Sequence, residues 1–411
     1  MDVRARGTPG EVLARFFRLG LVSFGGPVAH IGYFRTEFVE RAGWLDDATF
    51  SEVVALCSVL PGPTSSQVGI LIGALRAGPA GGLCAWLGFT TPSAVVLAVF
   101  GVALHAALYG PTAGGSLPAA VAGAFAGLAA AAGGVVAAAV LALARSLCTT
   151  AATGAIAVAA LAVALVAPRL GSQLQWVPLV LGAAAGALLL HRDARVPAEA
   201  LPLRVPRVAA IAAAIALAAG LVVLPALAAP QSAAALAATF FRAGSLVFGG
   251  GHVVLPFLQG MIGPAEVPAQ TFLAGYGVAQ VVPGPLFTFA SFLGAANGTP
   301  VHGVFGALVA TIAIFLPSFL LLAAVLPVWG VLRALPRATA ALAGVNASVV
   351  GLLASVLVTP VGAGLVRKPL DAAIAVAAFV ALARFRIAPW IVVGGCAAAG
   401  ALAAALSQRA G

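Results

Sequence analysis

Long apolar runs, interrupted only by glycine, proline or an isolated charge, follow one another along almost the whole chain. They fall at about 12–28, 50–75, 82–108, 117–144, 149–167, 174–190, 208–229, 236–260, 271–297, 302–328, 338–362, 369–383 and 387–406. A helix crossing the hydrocarbon core needs about 20 apolar residues, so the pattern predicts an all-α polytopic membrane protein with thirteen candidate spans. Several runs are short or broken by Gly and Pro, which leaves ten or twelve crossings and re-entrant hairpins open.

The same pattern contains a repeat. Phe16-Phe17-Arg18 matches Phe240-Phe241-Arg242, Gly20 matches Gly244, and Phe24-Gly25-Gly26 matches Phe248-Gly249-Gly250, all at an offset of 224. Thr49-Phe50 and Pro61-Gly62-Pro63 match Thr271-Phe272 and Pro283-Gly284-Pro285 at an offset of 222, and Pro92-Ser93 and Pro317-Ser318 close the series. The expected organisation is a first transmembrane repeat over 1–190, a basic cytoplasmic linker plus one crossing helix over 191–235, and a second repeat over 236–411. With all thirteen runs crossing, the lone segment at 208–229 turns the second repeat over, giving two homologous inverted-topology repeats. Inverted repeats with broken helices at Gly-rich and PGP motifs are a recurrent transporter design.

Composition sharpens the class. Of the 411 residues 62% are hydrophobic and 8% charged, with a mean hydropathy of +1.12, so no stretch is polar enough for a water-soluble domain. The formal charge is +10, carried almost wholly by arginine. With the N-terminus inside, twelve arginines, those of the 192–207 loop among them, fall on the cytoplasmic side against six cationic residues outside, a bias of the positive-inside kind. Nucleic acid is excluded as a partner because no block of like charge forms a basic arm. Four scattered cysteines without C-x-x-C spacing suggest neither a disulfide framework nor zinc. No metal-ligand spacing, P-loop or G-x-S-x-G elbow appears, so an enzyme, a cofactor and ATP-driven transport in this chain are not expected.

The candidate chemistry lies in the repeated motifs. Gly25-Gly26-Pro27 and Gly249-Gly250-Gly251 interrupt apolar helices, and the backbone N–H groups freed at such breaks bind anions at the positive helix end; close helix packing at small residues is the alternative. Pro61-Gly62-Pro63 and Pro283-Gly284-Pro285 each predict a link between two half-helices. Thr64, Ser65, Ser66 and Gln67 after the first, and Thr288 and Ser291 after the second, are then candidate oxyanion donors, or else serve to re-satisfy backbone at a kink. Arg18 and Arg242 are candidate anion ligands in apolar surroundings, with snorkelling to the headgroups as the competing reading for Arg18. His30 and Glu37, seven residues apart on one face of a continuing helix, are proton-coupling candidates, set against a solvated loop ending in an interfacial Trp44. His252 lies beside the second Gly motif, where a lone histidine is more often a packed core residue.

Phe24-Gly25-Gly26-Pro27 with His30, Glu37 and Trp44 downstream, followed by Leu60-Pro61-Gly62-Pro63 with Gln67 and repeated as Phe248-Gly249-Gly250-Gly251 and Val282-Pro283-Gly284-Pro285, resembles the chromate ion transporter (CHR) family in its long-chain, two-domain form. The resemblance covers most of the chain and is weakest over about 117–190. It implies a multi-pass protein of the bacterial inner membrane that exports chromate, driven by the membrane gradient, with sulfate as competitor by shape and charge. It carries site roles onto Arg18, Gly25, Gly26, Pro27, Pro61, Gly62, Pro63, Gln67, Arg242, Gly249, Gly250, Gly251, Pro283, Gly284 and Pro285, with Gly251 standing where the first copy has proline. Transport of sulfate or another tetrahedral oxyanion, and a membrane sensor that binds an oxyanion without moving it, remain the alternatives. The lipid bilayer is the expected surrounding, and the oligomeric state, a homodimer included, is left open.

Overall fold

The computed structural model describes residues 7–110, 119–170, 177–190, 201–247, 254–263, 266–358 and 368–410. Gly249, Gly250, Gly251 and His252 lie outside the described residues. The first repeat consists of α1 (Pro9–Val22), α2 (Gly26–Phe34) continuing into a π-helical turn (Arg35–Arg41), α3 (Asp47–Val59), α4 (Thr64–Tyr109), α5 (Ala119–Leu147), α6 (Ala151–Leu170) and α7 (Val177–Leu189). A lone helix, α8 (Arg207–Leu227), joins it to α9 (Ala233–Leu246), α10 (Val254–Met261), α11 (Ala269–Val281), α12 (Phe289–Ala295) and α13 (Gly303–Val325). The chain continues through α14 (Trp329–Ala334), α15 (Pro336–Val358), α16 (Pro369–Ala383) and α17 (Pro389–Ala410).

The helices differ in length from the thirteen apolar runs. Six helices among the described residues are long and apolar enough to span a bilayer, α4, α5, α8, α13 with its extension to Leu332, α15 and α17. The other runs are shorter because the motifs cut them. α1 ends at Val22 ahead of Gly25 and Gly26, both with left-handed φ, and α3 ends where Leu60 turns extended before Pro61, as the residue ahead of a proline must. At 1.5 Å per residue, the thirteen residues of α3 reach about 20 Å, two-thirds of a bilayer core.

The 46 residues of α4 are two helices. Ala77 (φ −140°) and Gly78 (φ 68°) leave the helical region, and the arms 64–76 and 79–109 fold back on each other. A Cβ on Gly73 would lie 2.4 Å from the Gly81 carbonyl oxygen, and one on Gly82 would lie 3.0 Å from that of Ile70. The second repeat makes the same hairpin with a longer connection, α12 against α13, where a Cβ on Gly294 would lie 2.2 Å from the Gly306 oxygen. Small residues let backbones approach this closely in lipid, where packing rather than water drives association.

The two repeats are interleaved. α5 of the first packs on α16 and α17 of the second, and α15 of the second packs on α6 and α7 of the first. Glycines mark both seams: a Cβ on Gly127 would sit 2.1 Å from the Cys396 oxygen, and one on Gly351 would sit 2.0 Å from the Ala157 oxygen. Overpacking of this kind costs about 1–3 kcal/mol. Gly351→Ala is therefore expected to lower the thermal unfolding temperature of the purified protein by several degrees, measured by size-exclusion after heating, whereas Gly394→Ala, with nothing within 4 Å of its Cβ, leaves it unchanged.

Candidate anion site at the crossing of the repeats

α1 and α9 carry equivalent motifs and pack on equivalent helices, α1 on α4 and α9 on α13. In both, the glycine after Phe-Phe-Arg makes the contact: a Cβ on Gly20 would meet the Phe89 carbonyl oxygen at 2.8 Å, and one on Gly244 would meet that of Ile314 at 2.0 Å. Phe89 and Ile314 each stand three residues ahead of a Pro-Ser pair. That packing brings the end of each broken helix to the PGP turn of the other repeat.

The turns then exchange hydrogen bonds. The Gly62 N–H donates to the Val247 carbonyl at 2.6 Å, and the Gly284 N–H donates to the Ser23 carbonyl at 2.9 Å. Ser23 and Val247 are equivalent in the sequence, each preceding the Phe of its Phe-Gly-Gly motif, so the two bonds are reciprocal. Gly62 (φ +110°) and Gly284 (φ +108°) adopt a conformation that suits glycine alone. The Pro-Ser serines complete the exchange: a Cβ on Gly62 would come within 3.1 Å of Ser318 Oγ, and one on Gly284 within 2.7 Å of Ser93 Oγ.

Side chains of the first repeat fill the crossing. His30 is buried, with Nε2 3.2 Å from the Ser23 carbonyl oxygen and Nδ1 3.1 Å from Ser65 Oγ. A carbonyl only accepts, so Nε2 carries a proton, and in the neutral ring Nδ1 accepts from the Ser65 hydroxyl. Gln67 donates from Nε2 to the Pro61 carbonyl at 2.6 Å and reaches Ser318 Oγ at 3.4 Å. Ser23 Oγ, Ser66 Oγ and Gln67 Oε1 are buried with no hydrogen-bond partner among the described residues. Orphaned polar atoms are rare in folded proteins and in lipid each costs several kcal/mol, so their grouping where two helix breaks meet marks a site for a polar guest.

The structure gathers some of the sequence-predicted residues and disperses others. Gly25, Gly26, Pro27, Pro61, Gly62, Pro63, Ser65, Gln67, Pro283, Gly284 and Pro285 belong to the two breaks or border them. Thr64 is half-buried at the start of α4, and the buried Thr288 commits its hydroxyl to the Pro285 carbonyl at 2.6 Å. Arg18 is exposed, on the side of α1 opposite the buried Val12, Phe16 and Leu19, where snorkelling is the natural behaviour of its side chain; Arg242 is half-buried in α9. His30 and Glu37 take different partners: His30 lies in the crossing, whereas Glu37, in the π-helical turn, pairs with Arg15 at 2.6 Å. Ser23, Ser93 and Ser318 were the residues that the motifs did not single out as ligands. Their signal was present, since two of them are the repeated Pro-Ser serines.

The family profile described as Chromate transporter matches residues 10–189 and 234–401, leaving out the stretch that contains α8. The chain belongs to the chromate transporter family. Members of this family are transport proteins and not enzymes, and the long apolar helices make this one a multi-pass protein of the bacterial inner membrane. The chain is 31% identical to a chromate transport protein of Pseudomonas aeruginosa over 362 residues, covering 84% of this chain and 79% of that protein. It is 30% identical to a probable chromate transport protein of Synechococcus elongatus (84% and 82% covered) and 28% identical to a chromate transport protein of Cupriavidus metallidurans (85% and 81% covered). No solved structure matches the chain. The PGP turns and the Ser23 and Val247 carbonyls of this chromate transporter family member all fall inside the two matched segments.

Proposed function

We propose that this protein is a secondary transporter that exports the chromate dianion from the cytoplasm and so confers chromate resistance, with the anion passing through the crossing of the repeats. The reciprocal bonding of the PGP turns, with the buried, unpartnered hydroxyls of Ser23 and Ser66 on the segments that form them, is the observation that carries the reading. Helix ends and hydroxyls are donors suited to an oxyanion, and two equivalent units give two arrangements of similar energy, which alternating access requires. On this reading the repeats are inverted in the membrane, with α8 as the single crossing that turns the second one over.

An inside-negative potential is worth about 2.3 kcal/mol per charge per 100 mV, so it favours expulsion of a dianion by roughly twice that. Of the two proton-coupling candidates, His30 is the one inside the crossing, and proton coupling in place of voltage drive would run through it. Sulfate is the second reading for the substrate, favoured by the makeup of the site: hydroxyl donors recognise a tetrahedral dianion by shape and charge.

Radiolabelled chromate flux into inverted membrane vesicles under an imposed potential tests both readings. Saturable, energised uptake that falls about tenfold in Gln67→Leu and Ser66→Ala, with weak competition by unlabelled sulfate, is expected; a lost charge-free hydrogen bond of about 1 kcal/mol sets the lower bound on that fall. Sulfate competing as well as chromate itself would move the assignment to a general oxyanion carrier. Saturable binding without energised flux in well-folded protein would make it a sensor.

A further inference from the structure

A second polar cluster lies apart from the crossing, among α1, the π-helical turn and the Arg76 end of the first arm of α4. Arg15 and Arg76 both approach the Trp44 indole, with their guanidinium carbons 5.6 and 5.1 Å from the ring centroid. Phe38 stacks on that indole at 4.6 Å and holds it in place. Glu11 lies between the two cations: its Oε2 and Oε1 are 3.2 and 3.4 Å from Arg76 Nη2, and Oε1 is 3.9 Å from Arg15 Nε. Charge-assisted bonds close to about 2.7–2.9 Å when the fit is good, as the 2.6 Å Arg15–Glu37 pair does here. Glu11 therefore fits its two cations loosely.

An unbroken run of rings separates this cluster from the crossing. Trp44 stacks on Phe38, Phe38 on Phe16 at 4.7 Å, Phe16 meets Phe34 at 5.5 Å, Phe34 meets Phe89 at 5.0 Å, and Phe89 meets His30 at 5.2 Å. Phe16, Phe34, Phe38 and Phe89 are fully buried, so this run of rings between the two sites is apolar. The second repeat offers Phe240, Leu258, Ile262 and Ile314 at the equivalent positions and has no charged counterpart of the cluster.

We propose that Arg15 and Arg76 form a loading site for the transported oxyanion, and that Glu11 is a resident carboxylate holding the place that the dianion takes. A tetrahedral dianion carries twice the charge of a carboxylate and offers oxygens to both guanidinium forks at once, so it displaces Glu11. The aromatic run is the barrier it must then pass to reach His30 and Ser65. The proposal rests on the transport reading above and extends it to where the anion first docks.

Equilibrium binding of radiolabelled chromate to the full chain in lipid nanodiscs tests it, because the readout does not require flux. Arg76→Gln and Glu11→Gln break the same ion pair, so a merely structural pair predicts that both weaken binding alike. The loading site predicts opposite signs: Arg76→Gln and Arg15→Gln weaken chromate binding about tenfold, as loss of one charged hydrogen bond does, while Glu11→Gln tightens it severalfold. Arg76→Lys, which keeps the charge and loses the fork, falls between. Equal loss in Glu11→Gln and Arg76→Gln, or wild-type affinity in all variants, overturns the proposal. Wild-type binding with the predicted opposite shifts but no energised flux would leave the site standing and remove the transport reading instead.

Discussion

Replacing Gly62 or Gly284 by alanine is expected to abolish transport while the protein still reaches the membrane. Each glycine has φ near +110° (+110° and +108°), where an L-residue pays roughly 1–3 kcal/mol in backbone strain. The added methyl also has no room: at Gly62 it meets Gln67 Nε2 at 2.8 Å and the Gly244 carbonyl oxygen at 3.2 Å, and at Gly284 it meets Ser93 Oγ at 2.7 Å. Relief must come from moving the turn, which withdraws its N–H from the opposite repeat. Every 1.36 kcal/mol is tenfold in rate, so chromate flux per folded molecule should fall by more than about tenfold in either variant. Because both turns serve one crossing, the double variant should be little worse than the worse single one, a non-additivity expected of contacting sites. Unimpaired flux in Gly62→Ala would remove the crossing from the transport path.

Expressed separately, the two halves of the chain should fail to accumulate, and expressed together they should restore flux. A cut in the turn at 228–232 leaves α8 with the first half and α9 at the start of the second. α5 then lacks α16 and α17, and α15 lacks α6 and α7, so each half exposes a seam of glycines shaped to a backbone it no longer meets. The fully buried Ala130, Ala131 and Ala132 of α5 and Ala347 and Val349 of α15 would lose their cover. Co-expression supplies both seams, and membrane levels of each half by immunoblot, with flux in the same vesicles, check the outcome. Stable accumulation of the first half alone would show that the seams contribute little to folding.

Much of this architecture was legible because it is written in residues with few conformations. A Pro-Gly-Pro can only break a helix, and its recurrence at one offset revealed the repeat before any packing was known. The hairpin at Ala77–Gly78 was legible as well, since Arg76 and Gly78-Pro79 part the runs at 50–75 and 82–108. The interleaving of α5 and α15 left no readable trace: in lipid both faces of an Ala- and Gly-rich helix are apolar, so hydrophobic periodicity does not say which neighbour it meets. Arg18 shows the opposite limit. Its place in the repeat suggested a ligand, but a motif position fixes neither the helix face nor the direction of a long side chain. His30 emerged in the crossing instead, because the turn at Gly25 and Gly26 aims α2 back at Ser23.

The exchange between the PGP turns also makes the two copies dependent on each other. A unit that supplies half of a crossing and half of a seam meets its partner surfaces only when the other packs against it, so a shift at one turn is felt at the other. The backbone device is common to both, Gly62 matched by Gly284, whereas His30, Glu11, Arg15, Glu37 and Arg76 all lie in the first copy.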